Sequence, residues 1–532
     1  MSTTLTRGIV AVTGSALALS LGLALPSAQA AVIPAPAGAD PAPVAAGAAY
    51  LALQPEANGI VKTYYEFPEG NFVAEDDYGL TVDVATALDA VGGQEAKTAA
   101  MTAAVRANIA TWVSTAFSPQ GARAKALSFL ESRNQTGSDI DALVDDLEDD
   151  ILTTPAAENG RLSGSASPLT QAFASSGLHD AGSALADEAL GFLLQQQCAA
   201  GFFRSSFSPT GEANQTCDSA TAPQGSVDTT AYAVVLLQDQ KTTPAVATSL
   251  TKAVDWLASQ QSADGSFVAP FAGANSNSTG LAGWALGVSG RTAPATKAAS
   301  WLRAHQLANA GSCVKYAARD TGGIAVDDLG VSNAAPGPLS DMDNDPVTRA
   351  TAQALPGLLW AAGGAAAGDT KLTGPADYVP AGSSQTVNVA GAPGNTLCVT
   401  VGTTSTRLVL PASGTTTVPV TLPVTTGSVV VSTVDAGGET DSLTVKGLAA
   451  TTLKGTAPKQ VELGKKFRLK ITGLQPAESV VVTYRGREKT LSANAKGVLK
   501  LKLKATKLGT SKVKFTGEFG NRKGKVKVTV VR

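Results

Sequence analysis

Two hydrophobic periods divide this chain. From about residue 45 to residue 368, apolar side chains recur at helical spacing, as in Ser183–Gln197 and Pro244–Gln260, while Ala231–Leu237 is apolar on nearly every face. Runs of the first kind predict helices with one buried stripe, and runs of the second kind predict helices buried all round. Five times a helical run breaks at a glycine-centred turn, at Gly59, Gly160, Gly201, Gly265 and Gly311, then passes through a variable loop into a small-residue helix opened by polar caps. The clearest copy runs from Ala253 through Trp256, Gln260, Gln261, Asp264, Gly265, Ser266 and Phe267 to Asn275, Asn277, Ser278, Thr279 and Trp284. Such repetition implies helical hairpins that share a core. Uneven turn spacing suits a closed ring of helix pairs better than a tight solenoid.

Beyond Gly368 the period falls to two. Leu397–Val401, Arg407–Leu410, Thr416–Leu422 and Ser428–Val434 are short, rich in Thr and Val, and separated by Gly, Pro or Ser. The same pattern returns with lysine on one face in Lys465–Ile471, Ser479–Tyr484, Val498–Lys504, Ser511–Phe515 and Lys523–Val531. Both sets predict antiparallel sandwiches, the first at 369–449 and the second at 450–532.

At the other end, Arg7 precedes an uncharged run from Gly8 to Leu25, then Pro26 and the small-residue site Ala28, Gln29, Ala30. Residues 1–30 thus read as a cleaved secretory signal, and the alanine- and proline-rich residues 31–44 as a tether. No later stretch is apolar and long enough to span a bilayer. The expected location is secreted, extracellular or wall-associated. In an exported chain four cysteines predict two disulfides. Three pairings are open; Cys198 with Cys217 is favoured because both flank one repeat loop, which leaves Cys313 with Cys398. With no Cys-x-x-Cys and only His179 and His305, the chain offers no transition-metal site, and no cofactor is expected.

Charge sharpens the division. Residues 451–532 hold 21 Lys plus Arg against four Glu, a net of +17, so the total of −2 leaves −19 on residues 1–450. A field of that strength attracts polyanions and weakens as salt screens it. No aromatic stacking surface accompanies the lysines, so anionic envelope polymers are expected as partners and nucleic acid is not.

With the repeats in view, residues 44–366 resemble the α/α-toroid superfamily, which includes prenyltransferase and squalene-cyclase repeats and the cobalamin-binding domain of intrinsic factor and transcobalamin. Gln260, Gln261, Asp264, Gly265, Ser266 and Phe267 resemble a degenerate QW-type repeat. The segment Gly225, Ser226, Val227, Asp228, Thr229, Thr230, Ala231, Tyr232, Ala233 is similar to the Ser-Val-Asp-Thr stretch opening an inner helix in the cobalamin carriers, and departs from them after Thr230. The two β modules resemble immunoglobulin-like domains, and the whole resembles secreted actinobacterial surface proteins. The resemblance implies a multidomain α plus β protein: an N-terminal α/α toroid followed by two antiparallel Ig-like β-sandwiches. It names cobalamin as a ligand by analogy alone.

In such a ring the inner helices start at one rim, where free N–H groups and positive dipole ends face a central depression. The residues at those starts are the expected contacts for a small molecule or glycan: Asp77, Tyr78, Thr81 and Asp83; Thr170 and Gln171; Asp228 and Thr229; Asn275, Asn277, Ser278 and Thr279; Arg349, Thr351 and Gln353. Most are also ordinary helix caps; Gln171, Arg349 and Gln353 are not.

Catalysis is the rival reading, as a terpene-cyclase-like or prenyltransferase-like enzyme acting on an isoprenoid. Cyclases of this fold class use an Asp-x-Asp-Asp acid, and the nearest string here, Asp341, Met342, Asp343, Asn344, Asp345, lacks the adjacent carboxylate. Pro346 is expected to hold that string in the loop before a helix. As a calcium loop it fails too, with Pro346 at position six and Ala352 at position twelve. Aromatic residues are sparse, at 14 Phe, 8 Tyr and 5 Trp. No Gly-x-Ser-x-Gly elbow, phosphate loop or His-Glu-x-x-His occurs, so a non-catalytic binding protein is the leading expectation, with an enzyme second and a structural adhesin or spacer third.

Overall fold

The computed structural model describes residues 32–68, 70–269, 272–334, 337–363 and 370–532. The expected signal, residues 1–30, lies outside them. Helices α1 (Ala42–Leu51), α2 (Tyr78–Val91), α3 (Glu95–Ala107), α4 (Ile109–Thr115), α5 (Pro119–Glu131), α6 (Ser138–Asp149) and α7 (Pro168–Asp180) come first. They are followed by α8 (Ala186–Gln195), α9 (Val227–Leu236), α10 (Pro244–Gln260), α11 (Ser276–Val288), α12 (Thr292–Ala304), α13 (Asp328–Asn333) and α14 (Asp341–Ala354). Two hairpins interrupt the series, β1 (Lys62–Glu66) with β2 (Phe72–Asp76) and β3 (Val268–Ala269) with β4 (Gly273–Ala274).

Helices α2, α5, α7, α9, α11 and α14 each pack on the next, and α14 packs back on α2. The ring is an α/α toroid, with α3, α6, α8, α10, α12 and α1 outside it. Composition explains the two layers. The inner helix α11 buries residues on every side, its glycines admitting neighbours closely, whereas the outer α10 buries one stripe from Val246 to Leu257.

One joint recurs at five of the inner helices. A glycine with positive φ turns the chain (Gly59, Gly160, Gly201, Gly265, Gly322), and two residues later a backbone N–H donates to an inner-helix side chain, one helical turn past the cap in the first four and about three turns past Ser340 in the fifth. The pairs are Val61 to Thr81 (2.9 Å), Leu162 to Gln171 (2.8 Å), Phe203 to Thr230 (3.0 Å), Phe267 to Thr279 (2.9 Å) and Ile324 to Thr351 (2.7 Å). Gln197, Gln261 and Gln306 tie the glycine carbonyl to the next outer helix. At Gly160 a Cβ would lie 1.9 Å from the Glu188 carbonyl oxygen, so only glycine brings the turn against α8.

The fifth joint is therefore at Gly322 and not at Gly311. Residues 309–321 are an insertion ahead of it, and Gly311 seats against Cys398 and Val434 of the first sandwich. A sixth pair, α5 with α6, lacks the glycine joint and is opened by Ser118 alone. The tether expected at 31–44 is also corrected over the residues seen. Ile33 donates to the Ala90 carbonyl, Asp40 pairs with Arg303 at 2.7 Å, and α1 begins at Ala42, because the alanines fill the outer layer where α14 meets α2.

The first sandwich pairs sheet β10 (Thr415–Thr421), β7 (Ser384–Ala390), β5 (Lys371–Thr373) with sheet β6 (Val379–Pro380), β12 (Thr440–Leu448), β11 (Gly427–Asp435), β8 (Thr396–Val401), β9 (Thr404–Val409). The second pairs β14 (Lys454–Thr456), β16 (Lys466–Thr472), β19 (Leu499–Lys504) with a larger sheet. That sheet holds β13 (Thr451–Thr452), β21 (Arg522–Val531), β20 (Gly509–Thr516), β17 (Ser479–Tyr484) and β18 (Arg487–Ser492), with β15 (Gln460–Glu462) also on β21. In both modules a short early strand runs parallel to the last long one, β6 on β12 in the first and β13 and β15 on β21 in the second, an Ig-like arrangement. Disulfides join Cys198 to Cys217 and Cys313 to Cys398. The second staples the Gly311 insertion to β8, beside the place where Gly394 touches the Ser300 carbonyl of α12.

Candidate functional site

Most of the expected contacts sit at inner-helix starts and are engaged in holding the ring; Arg349, Thr351 and Gln353 lie instead in the second half of α14, because that helix begins earlier, at Asp341. Asp77 caps α2 through the Leu80 N–H (2.8 Å) and accepts from Arg349 (2.7 Å); Arg349 also reaches Asp345 and Thr63, both at 2.7 Å. Tyr78 lies against Trp112. Thr81, Gln171, Thr279 and Thr351 are the joint acceptors described above, and Thr170 completes the capping box with Ser167. Thr229 donates its N–H to Ser226, and Asn275 caps α11 through the Ser278 N–H at 2.8 Å. Asn277 donates to Gln353 at 2.9 Å. Asp228 is buried beside Ser278, and burial holds its carboxyl above the usual carboxylate range.

The acidic string does not sit in a loop. Asp341 and Asp343 form the first turn of α14 under the Ser340 cap, and Pro346 is inside the helix. Past the first turn, proline there leaves the Met342 carbonyl without its helical N–H partner.

The ring's cavity lies at the second halves of the inner helices. About 210 Å³ is enclosed by residues of all six, among them Asp83, Asp89, Lys125, Arg133, Phe129, Phe173, Tyr232, Trp284 and Gln353. Of the expected contacts, Asp83 and Gln353 line it. At the cap-rich ends the polar side chains are taken up by the hydrogen bonds described above, and within the cavity the rings of Phe173 and Tyr232 lie 5.3 Å apart.

Two charge pairs lie inside the cavity, which Asp180 and Asp239 also line. Lys125 pairs with Asp83 at 2.7 Å and sits over the Phe173 ring. Arg133 pairs with Asp89, donates to Thr102 and Ala85, and stacks over Phe129 at 4.4 Å. Burial holds Asp89 above the usual carboxylate range despite Arg133. Burial likewise raises the Tyr232 phenol, with Asp83 and Asp228 adding to it.

The cavity widens into a mouth of about 900 Å³ at the carboxyl ends of α5, α7 and α11, lined by Ile33, Glu131, Asp180, Val235, Asp239, Trp284 and Trp360 among others. None of Glu131, Asp180 and Asp239 has an ion-pair partner within 4.0 Å among the described residues. Burial raises Asp180 above the usual carboxylate range; His179 and a hydrogen bond from Ser176 oppose the shift, and the Asp239 charge adds to it. Glu131 is raised by burial and by Asp180. The Trp284 indole is 8% exposed and its Nε1–H is without a hydrogen-bond partner. Together these make an aromatic-walled entrance that carries three carboxylates and one exposed cation, Lys241.

No protein-family model and no curated protein matches the chain. Among solved structures, a protein from Actinoplanes is 16% identical over 59% of this chain and 98% of its own, with a TM-score of 0.40. The type II terpene cyclase MstE from Scytonema, bound to merosterolic acid A, is 14% identical over 60% of this chain and 97% of its own, with a TM-score of 0.38. Invasin, a bacterial integrin-binding protein, is 18% identical over 30% of this chain and 39% of its own, with a TM-score of 0.15. Among the described residues no helix is long and apolar enough to cross a membrane, and no group of His, Cys, Asp and Glu is placed to hold a metal ion.

Proposed function

We propose that the chain is an exported, non-catalytic binding protein whose toroid takes a small organic cation at the carboxyl-end mouth, and whose basic terminal module holds it at an anionic envelope. The observation that carries the first half is the trio Glu131, Asp180 and Asp239 around Trp284, three carboxylates against the single exposed Lys241. Carboxylates short of counter-charge favour a cation, and an indole face adds cation–π attraction of about 0.5–2 kcal/mol. The free Trp284 N–H suits a ligand that also carries an acceptor oxygen. The cysteine pairs fit an oxidising location. The cyclase reading has less behind it: cyclases of this fold class use an Asp-x-Asp-Asp acid, and the nearest string here, Asp341 to Asp345, is incomplete and lies outside the cavity lining.

The test is calorimetric titration of the mature protein with choline, spermidine, cobalamin and a glycan panel, repeated with Asp180→Asn/Asp239→Asn and with Trp284→Ala. Binding of an amine that both variants lose supports the proposal. Binding confined to cobalamin or glycans, or unchanged in both variants, overturns the cation assignment. Turnover of a polyprenyl diphosphate seen by mass spectrometry overturns the non-catalytic reading.

A further inference from the structure

The lysines of the terminal module are set in register. On β16 and β19 the directly opposed pairs are Lys466 with Lys504, Arg468 with Lys502, and Lys470 with Lys500, and Lys454 lies opposite Thr472 on the neighbouring strand β14. All seven cations are exposed, while Phe467, Leu469 and Ile471 between them are buried. The three strands contain no Asp, no Glu and no outward aromatic residue. The result is a lattice of cations, with rows roughly 7 Å apart along each strand and opposed members about 5 Å apart. Like charges set directly opposite destabilise a sheet, so solubility alone does not account for stacking three such pairs.

The opposite face is less concentrated. Lys512 faces Lys527 and Lys514 faces Lys525, but that sheet also presents Glu488, bonded to Thr483.

We propose that the outer face of the β14–β16–β19 sheet is the docking surface for a linear, non-aromatic polyphosphodiester such as a poly(glycerol phosphate) chain. This deepens the anchoring reading above by assigning it to one face and one polymer chemistry. Phosphates spaced along a flexible chain match the cation rows, each contact releasing a counterion. Nothing on the face stacks on bases, which is how single-stranded nucleic acid gains affinity beyond charge.

The experiment compares the full mature chain with two variants that each lose four charges. One is Arg468→Gln, Lys470→Gln, Lys500→Gln, Lys502→Gln on this face, and the other is Lys512→Gln, Lys514→Gln, Lys525→Gln, Lys527→Gln on the opposite face. Affinity for poly(glycerol phosphate) is measured from 50 to 200 mM NaCl, with circular dichroism confirming the fold. The first variant should bind at least tenfold more weakly, with a salt slope shallower by about 3, four contacts at roughly 0.7 each. The second should change affinity less than about threefold, at the scale of a rim charge. Equal losses in both overturn the face assignment while leaving anchoring intact, and no binding by the unaltered chain overturns anchoring itself. An oligo-dT of equal charge that binds more tightly than the polymer overturns the choice of polymer.

Discussion

Arg349 of the last inner helix and Asp77, the cap of the first, join the two ends of the ring through a 2.7 Å ion pair. The partners are far apart in sequence, and Asp77 at the same time accepts the Leu80 N–H. One carboxylate thus terminates α2 and closes the circle. Replacing Arg349 with alanine should cost about 1 kcal/mol, since the pair is partly exposed. Hydrogen exchange should speed first at the start of α2 and in the facing part of α14. Uniform acceleration around the ring would contradict this role.

The repeated joint predicts a larger penalty for a smaller change. Thr279→Val keeps the shape but leaves the Phe267 N–H buried without an acceptor, at a cost of about 1–3 kcal/mol. Thr279→Ser should recover most of it. A thermal-melting series that ranks Val and Ser equally would show that the hydroxyl is dispensable.

Asp180 links stability to pH. Because its folded-state pKa is raised, the native protein binds this proton more tightly than the unfolded chain does. The resulting penalty is absent below about pH 4, the unfolded carboxylate value, and grows as the pH rises through the folded one. Asp180→Asn should therefore raise the melting temperature at pH 7 and have no effect near pH 4. The opposite trend would mean that the carboxylate is stabilised in place.

The lysine lattice makes a stability prediction of its own. Lys502→Glu turns the Arg468–Lys502 repulsion into attraction and should stabilise the second sandwich by about 0.2–1 kcal/mol at low ionic strength. The gain should shrink towards 1 M NaCl, where the Debye length falls to about 3 Å. Persistence of the full gain in high salt would point to packing.

Much of this architecture was legible. Gly160, Gly201 and Gly265 mark joints because a turn that tight against a neighbouring helix leaves only glycine, and the period-two runs marked strands. Gly311 misled because an insertion placed one glycine turn just ahead of the joint at Gly322. The α5–α6 pair escaped notice because it has neither the glycine nor the Thr acceptor. The cavity was harder to read. Cap residues such as Asn275 and Thr229 advertise themselves by type, yet capping consumes their hydrogen bonds. The lining residues Asp89, Arg133, Asp180 and Trp284 betray themselves only as polar or bulky exceptions near the carboxyl ends of small-residue helices.

The bond between Cys313 and Cys398, with Gly394 lodged against α12, makes the toroid and the first sandwich a single stiff arm. A force applied to that sandwich then reaches the ring through α12, the helix packed against the Trp284 helix α11.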